Sequence, residues 1–234
     1  MNQYKKLLDN LNSNRIYDYI RSLDDNEELE KLIPQVKDMK LIGECKYHKV
    51  NVYEHSLNAL EELESILDKE NFFESHLKDK VISYLDTKIE DNLTNLDILK
   101  LGIFLHDIGK PASKTTDENQ RVHFRGHEIV GEDISFELGN KFGLSKESID
   151  LLCKLVRHHM VLLIFYKTND MPKEKLFEIF NTLNDDIISL MILGYVDIVS
   201  TRRLLNPTED MNIIKSYMNY ILTVYFYGYK KINN

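Results

Sequence analysis

The stretch LGIFLHDIGKP, residues 101–111, decides how this chain is read. Five residues without a polar side chain lead directly into His106 and Asp107. Upstream, Thr94 and Asp97 have the spacing of a capping box. The pattern predicts a helix over 96–108, ended by Gly109 and Pro111. A carboxylate at the end of so apolar a helix is costly to bury unless its charge is compensated. Either this helix end surfaces into solvent or a cation meets Asp107.

Working outward, similar residues recur on other apolar faces. A helix over 51–69 places His55 with Ala59, Leu63 and Leu67. In a helix over 126–141, ended by Gly143, His127 heads a stripe of Val130, Gly131, Ile134 and Leu138. Ser145 caps a helix to about 160, where His159 continues Leu152 and Val156, and His158 continues Leu151 and Leu155. In a helix over 185–204, Asp197 shares a face with Leu190, Leu193 and Gly194. One inward histidine is more often a satisfied core residue than a ligand. Five helices that each turn a His or Asp inward are explained more economically by convergent ligands.

The remaining segments are also helical. Residues 3–33 read as two helical pieces broken near Asn12, Ser13 and Asn14 and stopped by Pro34. Another helix is expected over 72–90, a polar loop over 113–121, and a helix over 173–182. The aromatic tail 213–229, with Tyr217, Tyr220, Tyr225, Phe226, Tyr227 and Tyr229, reads as a packed terminal helix. No sustained period-two alternation competes, and 9 Gly and 4 Pro are few enough to leave long helices unbroken. The class is all-α, divided as an N-terminal helical extension (1–40), a central domain (41–206) and a C-terminal helix packed on it (207–234).

Charge narrows the function classes. A net charge of −8 disfavours binding to long DNA or RNA. A small anionic substrate stays open, because local cations outweigh a negative average. Cys45 and Cys153 form no CxxC pair and read as reduced thiols. Residues 1–6 lack an apolar leader, and charges interrupt every apolar stretch. The expectation is a cytoplasmic protein without a membrane span; the sequence leaves its oligomeric state open.

HDIGK at 106–110, with His55 before it and Asp197 after it, resembles the HD superfamily of metal-dependent phosphohydrolases over roughly 45–204. HDIGKP, FRGHEIVGE (124–132), LVRHHM (155–160) and YHKVNVYEHSL (47–57) together resemble the HD domain of bacterial CCA-adding tRNA nucleotidyltransferases. The resemblance implies an HD-domain helical bundle with extra N- and C-terminal helices. It assigns His55, His106, Asp107 and Asp197 to a first metal site. His127 and His159 match the ligands of a second, with Asp107 bridging; His158 matches less closely. Such donors suit Mn²⁺, Fe²⁺, Co²⁺, Ni²⁺ or Zn²⁺, one ion or two, and Mg²⁺ is also admitted.

The implied function is hydrolysis of a phosphomonoester or phosphodiester of a small nucleotide-like substrate through metal-bound hydroxide. Asp107 and Lys110 are the catalytic candidates. Lys110 would hold a phosphoryl oxygen, with Arg125, Arg157 and Arg202 as further phosphate contacts. His48 and His123 lie near the motifs as pocket candidates, and His76 reads as exposed. About 40 helical residues, and no nucleotidyltransferase head, precede the HD segment, so CCA addition and a tRNA substrate are not expected. The alternative is a non-catalytic regulatory HD protein that binds metal or nucleotide.

Overall fold

The computed structural model describes residues 3–13, 15–43 and 50–233. Cys45 and His48 lie outside the described residues, as does Asn14. The first four helices are α1 (Gln3–Leu11), α2 (Ile16–Asp25), α3 (Leu29–Leu32) and α4 (Val36–Leu41). Next come α5 (Val52–Leu67), α6 (Ser75–Leu85) and α7 (Asn95–Leu105). A two-stranded hairpin, β1 (Lys88–Glu90) with β2 (Leu93–Thr94), precedes α7. A second, β3 (Thr115–Thr116) with β4 (Val122–His123), leads to α8 (His127–Phe142). The chain continues through α9 (Lys146–His158), α10 (Val161–Thr168), α11 (Lys173–Leu183) and α12 (Ile187–Leu205). It closes with α13 (Asn212–Val224), a π-helical turn at Tyr225–Tyr229 and α14 (Lys230–Asn233). The fold is all-α, and among the described residues strands occur only in the two small hairpins.

Local chemistry explains most boundaries. Thr94 and Asp97 form the expected capping box, each side chain meeting the other's backbone N–H. Ser145 caps α9 by accepting from Ser148 N. Asn51 caps α5 through Glu54 N at 2.8 Å. Gly143 ends α8 in the left-handed region at φ +77°. The expected helix over 72–90 is shorter, because the chain leaves it at Asp86 and Thr87 to enter the first hairpin at Lys88. The helix expected to about 160 is α9, which stops at His158, and α10, which starts afresh at Val161, lies beyond it where the sequence reading placed no element. The loop at 113–121 holds the start of the second hairpin, where the Asp117 carboxylate accepts from the backbone N–H groups of Asn119 and Arg121. Beyond Pro34 the chain re-forms as α4, which the proline reading did not foresee.

α7 is the central rod, packed by α5, α6, α9 and α12, and ten of its eleven residues are buried. One apolar core runs from Leu7 in α1 to Tyr225 beyond α13. The break between α1 and α2 is held from below by buried Lys100 of α7. Its ammonium donates to the carbonyls of Leu11 (2.6 Å) and Ser13 (3.1 Å). The Arg21 guanidinium on α2 grips both carboxylate oxygens of Glu54 on α5, at 2.9 and 2.5 Å. The tail packs its aromatic rings on α11, with Phe180 edge-on to Tyr225 and Tyr229. Tyr225 donates to Asp185 at 2.6 Å. Burial raises the Cys153 thiol to about 11, so it stays protonated near neutral pH. Among the described residues, no helix is long and apolar enough to cross a membrane.

Candidate metal centre

Five elements bring their polar residues to one end of α7. His55 stands in the first turns of α5, His106 follows the last residue of α7, and Asp107 comes next in the turn. His127 is the first residue of α8, His159 follows the last residue of α9, and Asp197 lies midway along α12. All except Asp197 are buried, and it keeps only an edge accessible.

The turn after His106 fits because residue 109 has no side chain. A Cβ there would meet the His127 carbonyl oxygen at 2.1 Å and the Gly131 nitrogen at 2.5 Å. This close approach sets the start of α8 against the HD turn and so places His127 beside Asp107.

Helix ends supply the orientation. The last carbonyls of a helix lack intrahelical partners. His106 uses Ile103 O at the end of α7, and His159 uses Val156 O at the end of α9, each through Nδ1 at 2.7 Å. His127 repeats the arrangement with Phe124 O at 2.7 Å, just before α8. Each of these rings donates Nδ1–H and so, when neutral, turns an Nε2 lone pair inward, the orientation a metal ligand needs. His55 Nδ1 lies 3.3 Å from the Thr201 hydroxyl.

The inward atoms fall into two groups that share one carboxylate. Asp107 Oδ2 is 3.3 Å from His106 Nε2 and 3.6 Å from His55 Nε2. Asp197 Oδ1 is 2.9 Å from His55 Nε2 and 3.6 Å from His106 Nε2. On the other side, Asp107 Oδ1 is 3.4 Å from His127 Nε2 and 3.7 Å from His159 Nε2. The ligand atoms of His55, His106 and Asp107, and those of Asp107, His127 and His159, each cluster closely enough for one ion.

The donor set fits a metal on electrostatic grounds. The Nε2 atoms of His55 and His106 face each other at 3.1 Å, and those of His127 and His159 at 3.2 Å. Facing lone pairs repel unless a proton or cation lies between them. At the first pair, burial opposes charge on His106, but Asp107 raises the ring to about 10, so a proton serves. At the second, burial and neighbouring His106 lower His159 to about 4, so protonation is opposed. Asp107 Oδ1, buried between His127 and His159, accepts no hydrogen bond. A buried carboxylate oxygen with no donor is what a metal ion satisfies. Burial pushes the carboxyls of Asp107 and Asp197 up. The Lys110 and His106 charges at Asp107, and the His106 and His55 hydrogen bonds at Asp197, hold both well below the usual range.

The other candidates divide. Lys110 is nine-tenths buried, and its ammonium lies 2.5 Å from Asp107 Oδ2. Lys110 and Arg202 both line a cavity of about 500 Å³ that opens onto Asp107, His127, His159 and Asp197. Arg125 is exposed in the turn before α8. Arg157 pairs with Glu132 at 3.7 Å. Neither ligand group includes His158, which is half-buried beside Arg157. Successive helical residues point about 100° apart, so the face that sends His159 inward turns His158 away. His123 pairs with Asp117 at 2.9 Å in the second hairpin. His76 is exposed and meets Thr223 at 2.9 Å.

Three polar cavity residues escaped the sequence reading: Thr201, Lys167 and Glu209. Thr201 had a usable signal, because it stands one helical turn after Asp197 on the same face. Lys167 belongs to α10, to which the sequence reading assigned no element. Glu209 comes from the loop after α12 and left no periodic trace.

Comparison with known proteins adds a family to this geometry. The family model described as "HD domain" matches residues 52–179. The chain is 23% identical over 165 residues to the A-adding tRNA nucleotidyltransferase of Deinococcus radiodurans, covering 70% of this chain and 32% of that protein. It is 35% identical over 82 residues to a bifunctional uridylyltransferase/uridylyl-removing enzyme of Mycobacterium tuberculosis, covering 35% of this chain and 9% of that protein. The corresponding enzyme of Vibrio campbellii matches at 24% over 134 residues, covering 56% of this chain and 13% of the relative. The chain therefore spans a third or less of the length of these relatives.

Proposed function

Because the chain belongs to the HD domain family, which includes metal-dependent phosphohydrolases, we propose that it hydrolyses a phosphomonoester or phosphodiester of a small nucleotide-like molecule. The observation that carries this reading is the Asp107 carboxylate set between two histidine pairs, with Oδ1 buried and without a hydrogen bond.

His55, His106, Asp107 and Asp197 would hold one ion, and Asp107, His127 and His159 a second. Divalent Mn, Fe, Co, Ni or Zn bound there supplies a Lewis acid for the phosphoryl oxygens and an acidified water as nucleophile. The chain supplies the rest. The carbonyls of Ile103, Phe124 and Val156 hold three of the rings in one tautomer. Lys110 balances the Asp107 charge and stands at the cavity wall, where its ammonium can turn to a non-bridging phosphoryl oxygen. Met160, Leu163, Ile198 and Leu205 give the cavity an apolar wall for the organic part of the substrate.

The test is a panel of nucleoside 5′-, 3′- and 2′-phosphates, 2′,3′-cyclic phosphates and simple aryl phosphates, assayed with protein loaded with each metal. Metal-dependent release of phosphate or opening of the cyclic ester is expected for at least one class. Protein that is fully metallated, binds nucleotides and hydrolyses none of them would overturn the reading in favour of a regulatory nucleotide-binding role.

A further inference from the structure

The cavity beside the candidate metal centre is lined by cations that the hydrolysis of a single phosphoryl group does not need. Arg202 stands five residues beyond Asp197 on α12, about 7.5 Å further along the helix axis. Its guanidinium lies 4.9 Å over the Tyr166 ring and is ion-paired with Glu209 from the loop after α12. Arg202 and Glu209 are both only partly exposed and both line the cavity. Lys167, in the last turn of α10 and next to the Tyr166 on which Arg202 stacks, also lines the cavity; it is exposed and makes no ion pair with any described residue. Lys110 lines the cavity beside Asp107. Ile198 and Leu205, on the same helix as Arg202, add apolar surface to the wall.

A ring-stacked arginine is aimed by its aromatic neighbour and presents a planar fork suited to a phosphate or carboxylate. Its partner here is a carboxylate on a loop, a protein anion in the place a ligand anion would take. With Lys167 unpaired, Arg202, Lys167 and Glu209 together carry more positive than negative charge, in a chain whose net charge is −8. The shared chemistry is recognition of a second anionic group on the substrate.

We propose that Arg202 and Lys167 form a second phosphate subsite and that Glu209 is its resident counter-ion, so that the cavity selects nucleotides bearing two separated phosphoryl groups. This inference rests on the phosphohydrolase reading above for the place of the reacting phosphoryl group. The second group does not react. It exchanges with Glu209 for the Arg202 fork and fixes the other end of the ester near Asp107. Selection comes from a charged partner that a monophosphate leaves unused.

Calorimetric titration of metal-stripped protein tests it, because none of the three probes turns over there. The probes are adenosine 3′,5′-bisphosphate and the two adenosine monophosphates, 5′ and 3′. The wild type should bind the bisphosphate about tenfold tighter than either monophosphate, the scale of one hydrogen-bonded charge pair. In Arg202→Gln that ratio should fall towards one, and in Glu209→Gln it should rise. Thermal melts check that both variants fold, and Lys167→Gln gives a milder loss of the same ratio should Arg202→Gln prove unstable. A wild-type ratio near one, a ratio unchanged in Arg202→Gln, or no binding of any probe would overturn the subsite. A preference for the bisphosphate in a protein that hydrolyses nothing once remetallated would instead leave the subsite standing and sink the hydrolase reading.

Discussion

Asp107→Asn should empty both halves of the proposed metal centre at once and abolish the proposed turnover. The two oxygens of Asp107 face different histidine pairs, Oδ2 towards His55 and His106, and Oδ1 towards His127 and His159. An amide of the same shape keeps the packing but loses the charge and offers only one ligating oxygen. His127→Ala makes the contrasting case, since it removes a ligand from one group only. Metal per chain, measured by mass spectrometry after gel filtration without chelator, should fall at both positions in Asp107→Asn. In His127→Ala it should fall by about one ion, the count expected of a two-metal site. Equal metal content in Asp107→Asn and wild type would remove Asp107 from the centre.

Lys110→Ala separates catalysis from metal binding. The Lys110 ammonium and a metal ion compete for the same oxygen, Asp107 Oδ2, at 2.5 Å from the amine. Removing the amine should therefore leave metal affinity equal or higher. Turnover should drop on the order of 10²-fold, the usual effect of losing one preorganised donor to a transition-state oxygen. The loss should appear in kcat more than in KM, because the contact strengthens as charge develops on the phosphoryl group. Metal lost together with activity would make Lys110 a structural support of Asp107.

Much of the candidate centre was legible because most of its residues sit at positions that sequence periodicity resolves. The capping box at Thr94 and Asp97 phases α7, and the apolar run to Leu105 ends at His106. His55 and Asp197 continue apolar stripes on α5 and α12, and both residues are drawn to the same point. Legibility failed where the determinants are not periodic. His158 and His159 are adjacent, and only the ending of α9 at His158, followed by a new helix at Val161, shows which of the two turns inward. The short apolar run that forms α10, with its Lys167, carries no cap or stop signal of its own and received no element in the sequence reading. The first strand of the first hairpin was absorbed into a helix, because the two strands are only three and two residues long. Arg202 was visible as a cation near a ligand, but its pairing with Glu209 crosses the loop that carries Pro207, and no spacing rule reaches across such a loop. Arg125 and Arg157 share the same sequence proximity to ligands, yet one is exposed and the other pairs with Glu132.

The most direct test of the central claim is anomalous scattering from a crystal grown or soaked with Mn²⁺. A centre built on one shared carboxylate predicts two peaks about 3.5–4 Å apart on either side of Asp107, the spacing of a two-metal clamp. One peak should lie among His55, His106 and Asp197, and the other between His127 and His159. A single peak at the first position, with the His127 and His159 rings turned from Asp107 Oδ1, would contradict it.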